Sequence, residues 1–212
     1  MLMIDEQKVN CGSVKPDFWQ THCCVQGGEL GRYSVIYADP AWDYGKMKER
    51  KKAHRGGNPQ SHYKTMSVDE ICKMPVADLA DENSCIFLWV TNPKMQLGFE
   101  VMKAWGFKYQ TIITWVKIDN SNKVINNGMG FYFRGATEHI LFGTKGSFKI
   151  PTDKRIPNVI MAKRNAHSSK PIEAYNLIEN VTDGKRIELF ARNKRDGWDS
   201  WGNQIKSDGL LF

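Results

Sequence analysis

The stretch YSVIYADPAW, residues 33–42, sets the architecture that the rest of the chain has to match. Its first half is a run of β-branched and aromatic residues, and Asp39 and Pro40 end that run. A run of this kind before a proline turn predicts a β-strand that stops at the proline. A carboxylate, a proline and the indole of Trp42 are therefore expected at the C-terminal end of a strand. The same turn also ends ordinary strands, so a structural role and a chemical role are both open at this point.

Strand and helix patterns alternate along the rest of the chain. Residues 85–90 are continuously apolar, which predicts a strand covered on both faces, and Asn92 with Pro93 predicts the start of a helix that Gly106 ends. Further strands are predicted at residues 111–116, 139–142 and 185–191, and further helices after the capping box at residues 67–70 and at residues 171–178. This alternation predicts an α/β fold with a mostly parallel sheet and helices on both faces.

The composition fits one domain. The chain has 212 residues, of which 41% are hydrophobic and 25% are charged, and this is enough for one well-buried core. We expect residues 1–212 to form a single domain in which residues 1–30 are an N-terminal extension. No stretch approaches the roughly 20 consecutive apolar residues of a membrane-spanning helix, and the N-terminus has no apolar secretory signal. The expectation is a cytoplasmic protein without a membrane partner, and association into a homodimer is left open.

The five cysteines do not indicate a metal site or a disulfide framework. Their number is odd and no C-x-x-C pair occurs, whereas structural zinc sites and disulfide frameworks use paired cysteines. We therefore expect reduced thiols and no bound metal.

The formal net charge of +7 is concentrated in two segments. Residues 43–64 carry a net charge of +5 and residues 144–170 a net charge of +6, so the remainder of the chain carries −4. Glycines and prolines in both segments predict solvated loops. Basic loops suit either solubility or phosphate binding. The first segment begins directly after the turn at residues 39–42 and the second ends at Lys170, and this position beside candidate polar groups favours binding of nucleic-acid phosphates. The candidate phosphate-binding cations are Lys46, Lys48, Arg50, Lys51, Lys52, Arg55, Lys163 and Arg164.

The turn after the first strand carries groups that suit an aromatic amine. The carboxylate of Asp39 and the backbone carbonyl of Pro40 can each accept one amine N–H, which directs the nitrogen lone pair towards an incoming methyl group. Trp42, with Tyr44 or Tyr63, supplies aromatic faces for a base that has left its helix or strand. Together these groups form a minimal clamp for adenine.

A second polar set lies in the C-terminal part of the chain. A methyl donor that carries ribose hydroxyls and a zwitterionic amino-acid tail would need a site with polar residues, including at least one cation and one acid. Lys170, Glu188, Arg192, Asn203 and Gln204 provide that set. Ordinary surface positions and a turn explain the same residues equally well, and their spacing leaves both interpretations open.

Eight motifs in a fixed order carry a resemblance to a known family. They are ADPAW (38–42), HYKTMS (62–67), FLWVTNP (87–93), TWVK (114–117), EHILFGTKG (138–146), HSSKPIEAY (167–175), IELFAR (187–192) and WGNQ (201–204). From about residue 33 to 205 the chain resembles the adenosine methyltransferases, which include the catalytic subunit of the eukaryotic messenger-RNA N6-adenine writer and bacterial and phage DNA adenine methylases. The resemblance implies a Rossmann-like, S-adenosylmethionine-dependent methyltransferase fold in which the catalytic motif precedes the cofactor strand.

The resemblance also implies roles for individual residues. The family's D-P-P-W tetrad binds the target amine and part of the donor, which makes Asp39, Pro40 and Trp42 the implied catalytic residues and Asp39 also a cofactor contact. Lys170 resembles a contact to both donor and substrate, and Tyr63 resembles a nucleoside contact. The other implied cofactor contacts are Glu188, Leu189, Phe190, Arg192, Asn203 and Gln204. Ala41 replaces the second proline of the tetrad but leaves the groups proposed to hold the amine.

The implied activity is transfer of a methyl group from S-adenosylmethionine to the N6 amine of adenine in a nucleic acid. DNA is favoured over RNA because the chain resembles the bacterial and phage members, without the added RNA-binding modules of the eukaryotic ones. The expected location is then the cytoplasm of a bacterial or phage-infected cell. The alternatives are an RNA adenine-N6 methyltransferase, a cytosine-N4 methyltransferase, and a non-catalytic nucleic-acid-binding partner subunit of the same fold.

Overall fold

The computed structural model describes residues 32–43, 65–130, 132–164, 169–202 and 205. Its strands are β1 (Tyr33–Ala38), β2 (Ala80–Val90), β3 (Lys108–Ile118), β4 (Thr137–Lys145), β5 (Val159–Lys163), β6 (Arg186–Leu189) and β7 (Asp199–Trp201). Its α-helices are α1 (Val68–Cys72), α2 (Val76–Leu79), α3 (Met95–Ala104) and α4 (Ile172–Val181), and short 3-10 turns lie at Asn92–Lys94 and Thr152–Lys154. All described residues belong to one compact unit, Gly31–Ile205.

The seven strands form one sheet in the order β5-β3-β4-β2-β1-β6-β7. Four of the pairings are parallel, whereas β4 runs antiparallel to both of its neighbours, β2 and β3. The sheet is therefore mixed, and the prediction of a mostly parallel sheet needs this correction. The reason lies in the connection between β3 and β4, which begins with a bridge between Ile118 and Val124 and contains no helix among its described residues. Without a crossover helix, the chain returns at the same end of the sheet.

Helices cover both faces of the sheet, because alternate strand residues point to opposite sides. On one face, Tyr37 of β1 and Phe87 of β2 pack in a cluster with Leu177 of α4. On the other face, α3 lies so close that a Cβ on Gly98 would be 2.4 Å from a methyl carbon of Val90. Both faces of the central strands are thus buried, as the apolar sequence of residues 85–90 predicts.

The turn after β1 is held in place by the segment that leads into α1. Trp42 and Met66 form a bridge, in which the N–H of Met66 donates to the carbonyl of Ala41 at 2.9 Å. The next residue, Ser67, caps α1 with the predicted capping box: its hydroxyl accepts from the N–H of Glu70, and the Glu70 carboxylate accepts from the N–H of Ser67. The turn after β1 and the start of α1 are therefore fixed by contacts of two adjacent residues, Met66 and Ser67.

The structure differs from the prediction of a solvated basic loop over residues 144–170. That segment contains β5, which pairs in parallel with β3 at the edge of the sheet and buries Ile160 and Ala162. The side chains of this strand alternate, so that only Ile160 and Ala162 face the core. Val159 and Met161 point outward and are about half exposed. A strand this short gives little periodic signal, and the flanking cations conceal it.

None of the helices in the described ranges has the length and apolar character needed to cross a membrane.

Replacing Ser67 by Ala removes the acceptor for the Glu70 N–H and the capping box with it. We expect the free energy of unfolding to fall by about 1 kcal/mol. Urea denaturation followed by circular dichroism measures this change. Ser121→Ala, at an exposed serine after β3, is the matched control, and an equal loss in both variants would contradict the capping role.

Candidate active site

Asp39 lies directly after β1, at the edge of the sheet where the parallel strands end. Its backbone N–H is 3.4 Å from the carbonyl oxygen of Leu189, the last residue of β6. The preceding residue, Ala38, lies in register with Leu88 of β2 and Leu189 of β6. The Asp39 carboxylate is thus placed between the ends of β2 and β6, where ligands bind in open α/β sheets.

Lys170 connects Asp39 to a second carboxylate on another strand. Its ammonium nitrogen lies 3.2 Å from Oδ1 of Asp39 and 3.1 Å from Oε2 of Glu138 at the start of β4. The same nitrogen lies 4.8 Å from the ring centroid of Trp89 on β2, a cation–π contact. Three segments that are far apart in the sequence therefore meet at one lysine.

Lys117, at the end of β3, completes a row of four alternating charges. Its ammonium group is 2.7 Å from Oε1 of Glu138, so the order is Asp39, Lys170, Glu138, Lys117. All four side chains are largely buried, with exposed fractions between 13% and 19%. Each charge has an opposite charge beside it, which offsets the cost of removing it from water.

The pKa shifts in this row follow from burial and from the neighbouring charges. Burial alone would lower the pKa of Lys170, but the carboxylates of Asp39 and Glu138 outweigh burial and raise it. Burial alone would raise the pKa of Glu138, but Lys170 and Lys117 hold it below its usual range. Lys170 and Glu138 therefore stay charged near neutral pH.

The remaining groups of the ADPAW motif are held tightly. The carbonyl of Pro40 accepts the N–H of Trp42 at 2.8 Å, which leaves its second lone pair for another donor. The Trp42 indole is only 5% exposed, and its N–H donates to the Trp89 carbonyl at 3.2 Å. The Trp42 indole is thus held against β2, and its stacking on a target base stays a prediction.

Glu188 occupies the end of β6, next to Asp39, and is buried against aromatic residues. The Tyr175 hydroxyl donates to Oε1 of Glu188 at 2.9 Å, and the Tyr175 ring packs edge-on against Tyr37. Burial raises the pKa of Glu188 to about 7, although the hydrogen bond from Tyr175 acts in the opposite direction. The carboxyl group can thus change between acceptor and donor near neutral pH.

The turn after β6 has a strained backbone. Phe190 has a φ of 65°, which a residue with a side chain rarely adopts, and its ring meets the Trp201 ring edge-on at 5.4 Å. Gly202 lies so close to this turn that an added Cβ would be 2.1 Å from the Ala191 carbonyl oxygen. Strain of this kind is concentrated at functional sites, because the surrounding structure must maintain it.

The groups around this turn fit the chemistry of S-adenosylmethionine. Oε1 of Glu188 accepts a hydrogen bond from Tyr175, whereas Oε2 of Glu188 has no hydrogen bond within the described part of the chain. Phe190 presents a half-buried aromatic ring, and half-buried Arg192 supplies a cation. Leu189 is fully buried, so only its backbone is available to a ligand.

A match to a family model covers most of the chain. The MT-A70 model matches residues 33–204, from the start of β1 to the last residue of the WGNQ motif. The chain belongs to the MT-A70 family.

Several curated proteins are similar to this MT-A70 chain. The Type II methyltransferase M.MunI of Mycoplasma sp is 34% identical over 84% of this chain and 80% of its own length. A putative N(6)-adenosine-methyltransferase MT-A70-like protein of Medicago truncatula is 37% identical over 86% of this chain. The human N(6)-adenosine-methyltransferase catalytic subunit METTL3 is 33% identical over 86% of this chain. The chain spans only 28% of the Medicago protein and 30% of the human one.

The predicted site residues fall into three groups. Asp39, Pro40, Trp42, Lys170 and Glu188 lie together, with Leu189, Phe190 and Arg192 on the adjoining turn. Lys163 and Arg164 are exposed at the end of β5, on the same edge of the sheet. Ten predicted residues lie outside the described ranges: Tyr44, Lys46, Lys48, Arg50, Lys51, Lys52, Arg55, Tyr63, Asn203 and Gln204.

Three residues of the site were not predicted from sequence. Glu138 and Lys117 contribute half of the charge row, and Tyr175 bonds to Glu188. A signal for the first two does exist, because each is a charge that adjoins a short, mostly apolar run, in TWVK and EHILF. Tyr175 lies on a helix and gives no such signal.

Replacing Tyr175 by Phe is expected to move the pKa of Glu188 upward from about 7. The physical reason is that the Tyr175 hydroxyl stabilises the carboxylate form. The titration is measured by carboxyl-carbon NMR shifts. Tyr109→Phe, at a partly exposed tyrosine on β3, should leave the midpoint in place, and an unchanged midpoint in Tyr175→Phe would contradict the assignment.

Glu188 should also make stability depend on pH. Its pKa is about 7 in the folded protein, against an ordinary value of 4.5, so the folded state binds the proton more tightly. Its contribution to stability is therefore fully present below pH 4.5 and is lost as the pH rises through 7. Denaturation across this range should show a shallower decline for Glu188→Gln than for the unaltered protein. Glu173→Gln, at an exposed position, should keep the original slope.

Proposed function

We propose that this protein transfers a methyl group from S-adenosylmethionine to the N6 amine of adenine in a nucleic acid, with DNA as the favoured substrate. The observation that supports this most directly is the Asp39 carboxylate, held by Lys170 beside the strained turn after β6. A clamp for an amine and a candidate donor site thus adjoin at one edge of the sheet. Membership of the MT-A70 family is consistent with this chemistry.

The residues of the clamp have separate tasks. Lys170 engages Oδ1 of Asp39, so the other carboxylate oxygen is available to accept an amine N–H. The free lone pair of the Pro40 carbonyl accepts the second N–H, and the two acceptors together orient the nitrogen. S-adenosylmethionine, when bound, would supply a methyl group from its positively charged sulfur: the sulfur–carbon bond breaks as the nitrogen–carbon bond forms, and the amine releases one N–H proton to solvent. Glu188 would hold the ribose of this donor and Arg192 its carboxylate. The ring of Phe190 would make an aromatic contact with it.

The ion pairs keep this clamp ready before a substrate arrives. Asp39 is fixed by Lys170, which is itself fixed by Glu138 and by the face of Trp89. A carboxylate that is already oriented loses little freedom when it accepts the amine, which is the basis of catalysis by positioning. We assign Asp39 and Pro40 the catalytic contacts, and Glu138 and Lys117 a positioning role.

The preference for DNA over RNA rests on the similarity to one relative and on the motifs. The similarity to the Type II methyltransferase M.MunI covers most of both chains, and the motifs resemble bacterial and phage DNA adenine methylases. The similarity to the N(6)-adenosine-methyltransferase catalytic subunit METTL3, together with the resemblance to the messenger-RNA N6-adenine writer, makes an RNA adenine the alternative substrate. A panel of single-stranded DNA, duplex DNA and RNA with a labelled methyl donor separates the two. Nucleoside analysis of the product distinguishes N6-methyladenine from N4-methylcytosine.

Replacing Asp39 by Asn is expected to lower the rate of methyl transfer by at least about 100-fold, because the amine loses a charged acceptor and Lys170 loses a partner. The measurement is incorporation of label into the preferred oligonucleotide, with thermal unfolding as the test of folding. Asp78→Asn changes an exposed carboxylate on α2 and should retain full activity. Full activity of a folded Asp39→Asn protein would overturn the proposed role of Asp39.

A further inference from the structure

A cavity of about 700 Å³ lies at the other end of the sheet from Asp39. It is lined by the first residues of β3, the last residues of β4 and the loop that follows them. We call it the distal basic cavity, because its lining includes the cations Lys108, Lys145, Lys149 and Arg155. None of the site residues discussed above takes part in it.

Strand direction places the cavity far from the proposed active site. Lys108 begins β3 and Lys117 lies near its end, nine residues later, which corresponds to roughly 30 Å along an extended strand. Because β4 is antiparallel, Glu138 lies at the active-site end and Lys145 at the distal end. The basic segment 144–170 is therefore divided. Lys163, Arg164 and Lys170 lie at the active-site end, whereas Lys145 and Lys149 cannot contact phosphates next to the target base.

The charge of the cavity is unusually one-sided. Four of its lining residues are cations and none is an acid. Lys108, Lys149 and Arg155 are exposed and make no ion pair within the described ranges, while Lys145 donates to the carbonyl of Ala77 at 3.0 Å. Cations gathered without neutralising carboxylates repel one another, so an anion stabilises the arrangement.

The framework of the cavity is rigid. Gly146 has a φ of 60°, and an added Cβ would lie 2.2 Å from the Glu82 carbonyl oxygen, so the end of β4 packs closely on β2. The Ser147 N–H donates to the Asn83 side chain at 2.6 Å. Phe148 and Ile150 pack against the buried core. The turn between Lys145 and Lys149 is thus closely packed, which lowers the cost of ordering these two cations around a ligand.

We propose that the distal basic cavity binds backbone phosphates of the nucleic-acid substrate at a distance from the target adenine. That the ligand is a nucleic acid rests on the proposed function. That it is bound through phosphates rests on the cations of the cavity itself. Lysine ammonium groups attract phosphates as point charges, and the Arg155 guanidinium can donate two parallel hydrogen bonds. A long substrate is then held at two points, and a short one at the active site only.

The separation of the two sites sets a length requirement. Along one strand of a duplex the nucleotides are spaced at 3.4 Å, so roughly 30 Å corresponds to about nine nucleotides as a lower limit. Substrates shorter than this cannot reach both sites, and longer ones gain additional phosphate contacts. The gain must be electrostatic, and therefore salt-dependent.

The test compares binding of a short and a long oligonucleotide, of about 8 and about 30 nucleotides, with the target adenine near one end. Fluorescence anisotropy gives both affinities for the unaltered protein and for the double variant Lys149→Ala/Arg155→Ala. We expect the long-to-short affinity ratio to fall roughly fivefold, and the salt slope for the long ligand to fall by about 1.4 for single strands or 1.8 for duplex. The charge-matched control is Lys73→Ala/Lys103→Ala, at exposed lysines of the α1–α3 face.

An unchanged ratio and salt slope, or an equal loss in the control, would overturn the distal site. Charge reversal in Lys149→Glu/Arg155→Glu should lower the ratio further, and thermal unfolding verifies that all variants fold. Methyl transfer is measured separately on the same oligonucleotides. Absence of transfer with an intact length effect would count against the proposed function alone, whereas transfer without a length effect would count against the distal site alone.

Discussion

The candidate site depends on the ion pairs of the Lys170 ammonium group. It bonds to Asp39 after β1 and to Glu138 on β4, and it lies over the ring of Trp89 on β2. Buried charges are costly unless they are paired, and loss of one partner leaves the others uncompensated. The row of four charges is therefore stable only as a unit, and the position of Asp39 is set by residues from several strands.

The reversed direction of β4 has two consequences for function. It brings Glu138 to the edge where the parallel strands end, so that Lys170 finds a second carboxylate. It also carries Lys145 to the far end, where the distal basic cavity forms. A parallel strand at this position would exchange the two ends. One feature of topology thus determines both the active-site charge row and the second cationic site.

The local contributions to the fold could be predicted from short sequence patterns. The strand before Asp39, the capping box at Ser67 and the buried strand at residues 85–90 depend on neighbours in the chain, and the structure contains all three. Strand β5 was not predicted, because it lies within a basic segment and only two of its residues, Ile160 and Ala162, are buried. The direction of β4 was also missed, because pairing partners are separated by long stretches of sequence.

By its motifs alone, the sequence determined the family, the turn that carries Asp39 and the set of residues from which a donor site can be built. It did not determine which charges would be neighbours. The partnership of Lys170 with Glu138 and Lys117, and the separation of the basic residues 144–170 between two ends of the sheet, arise only in the tertiary structure. The physical reason is that motifs record local backbone preferences, whereas electrostatic contacts depend on distances that strand order and direction create.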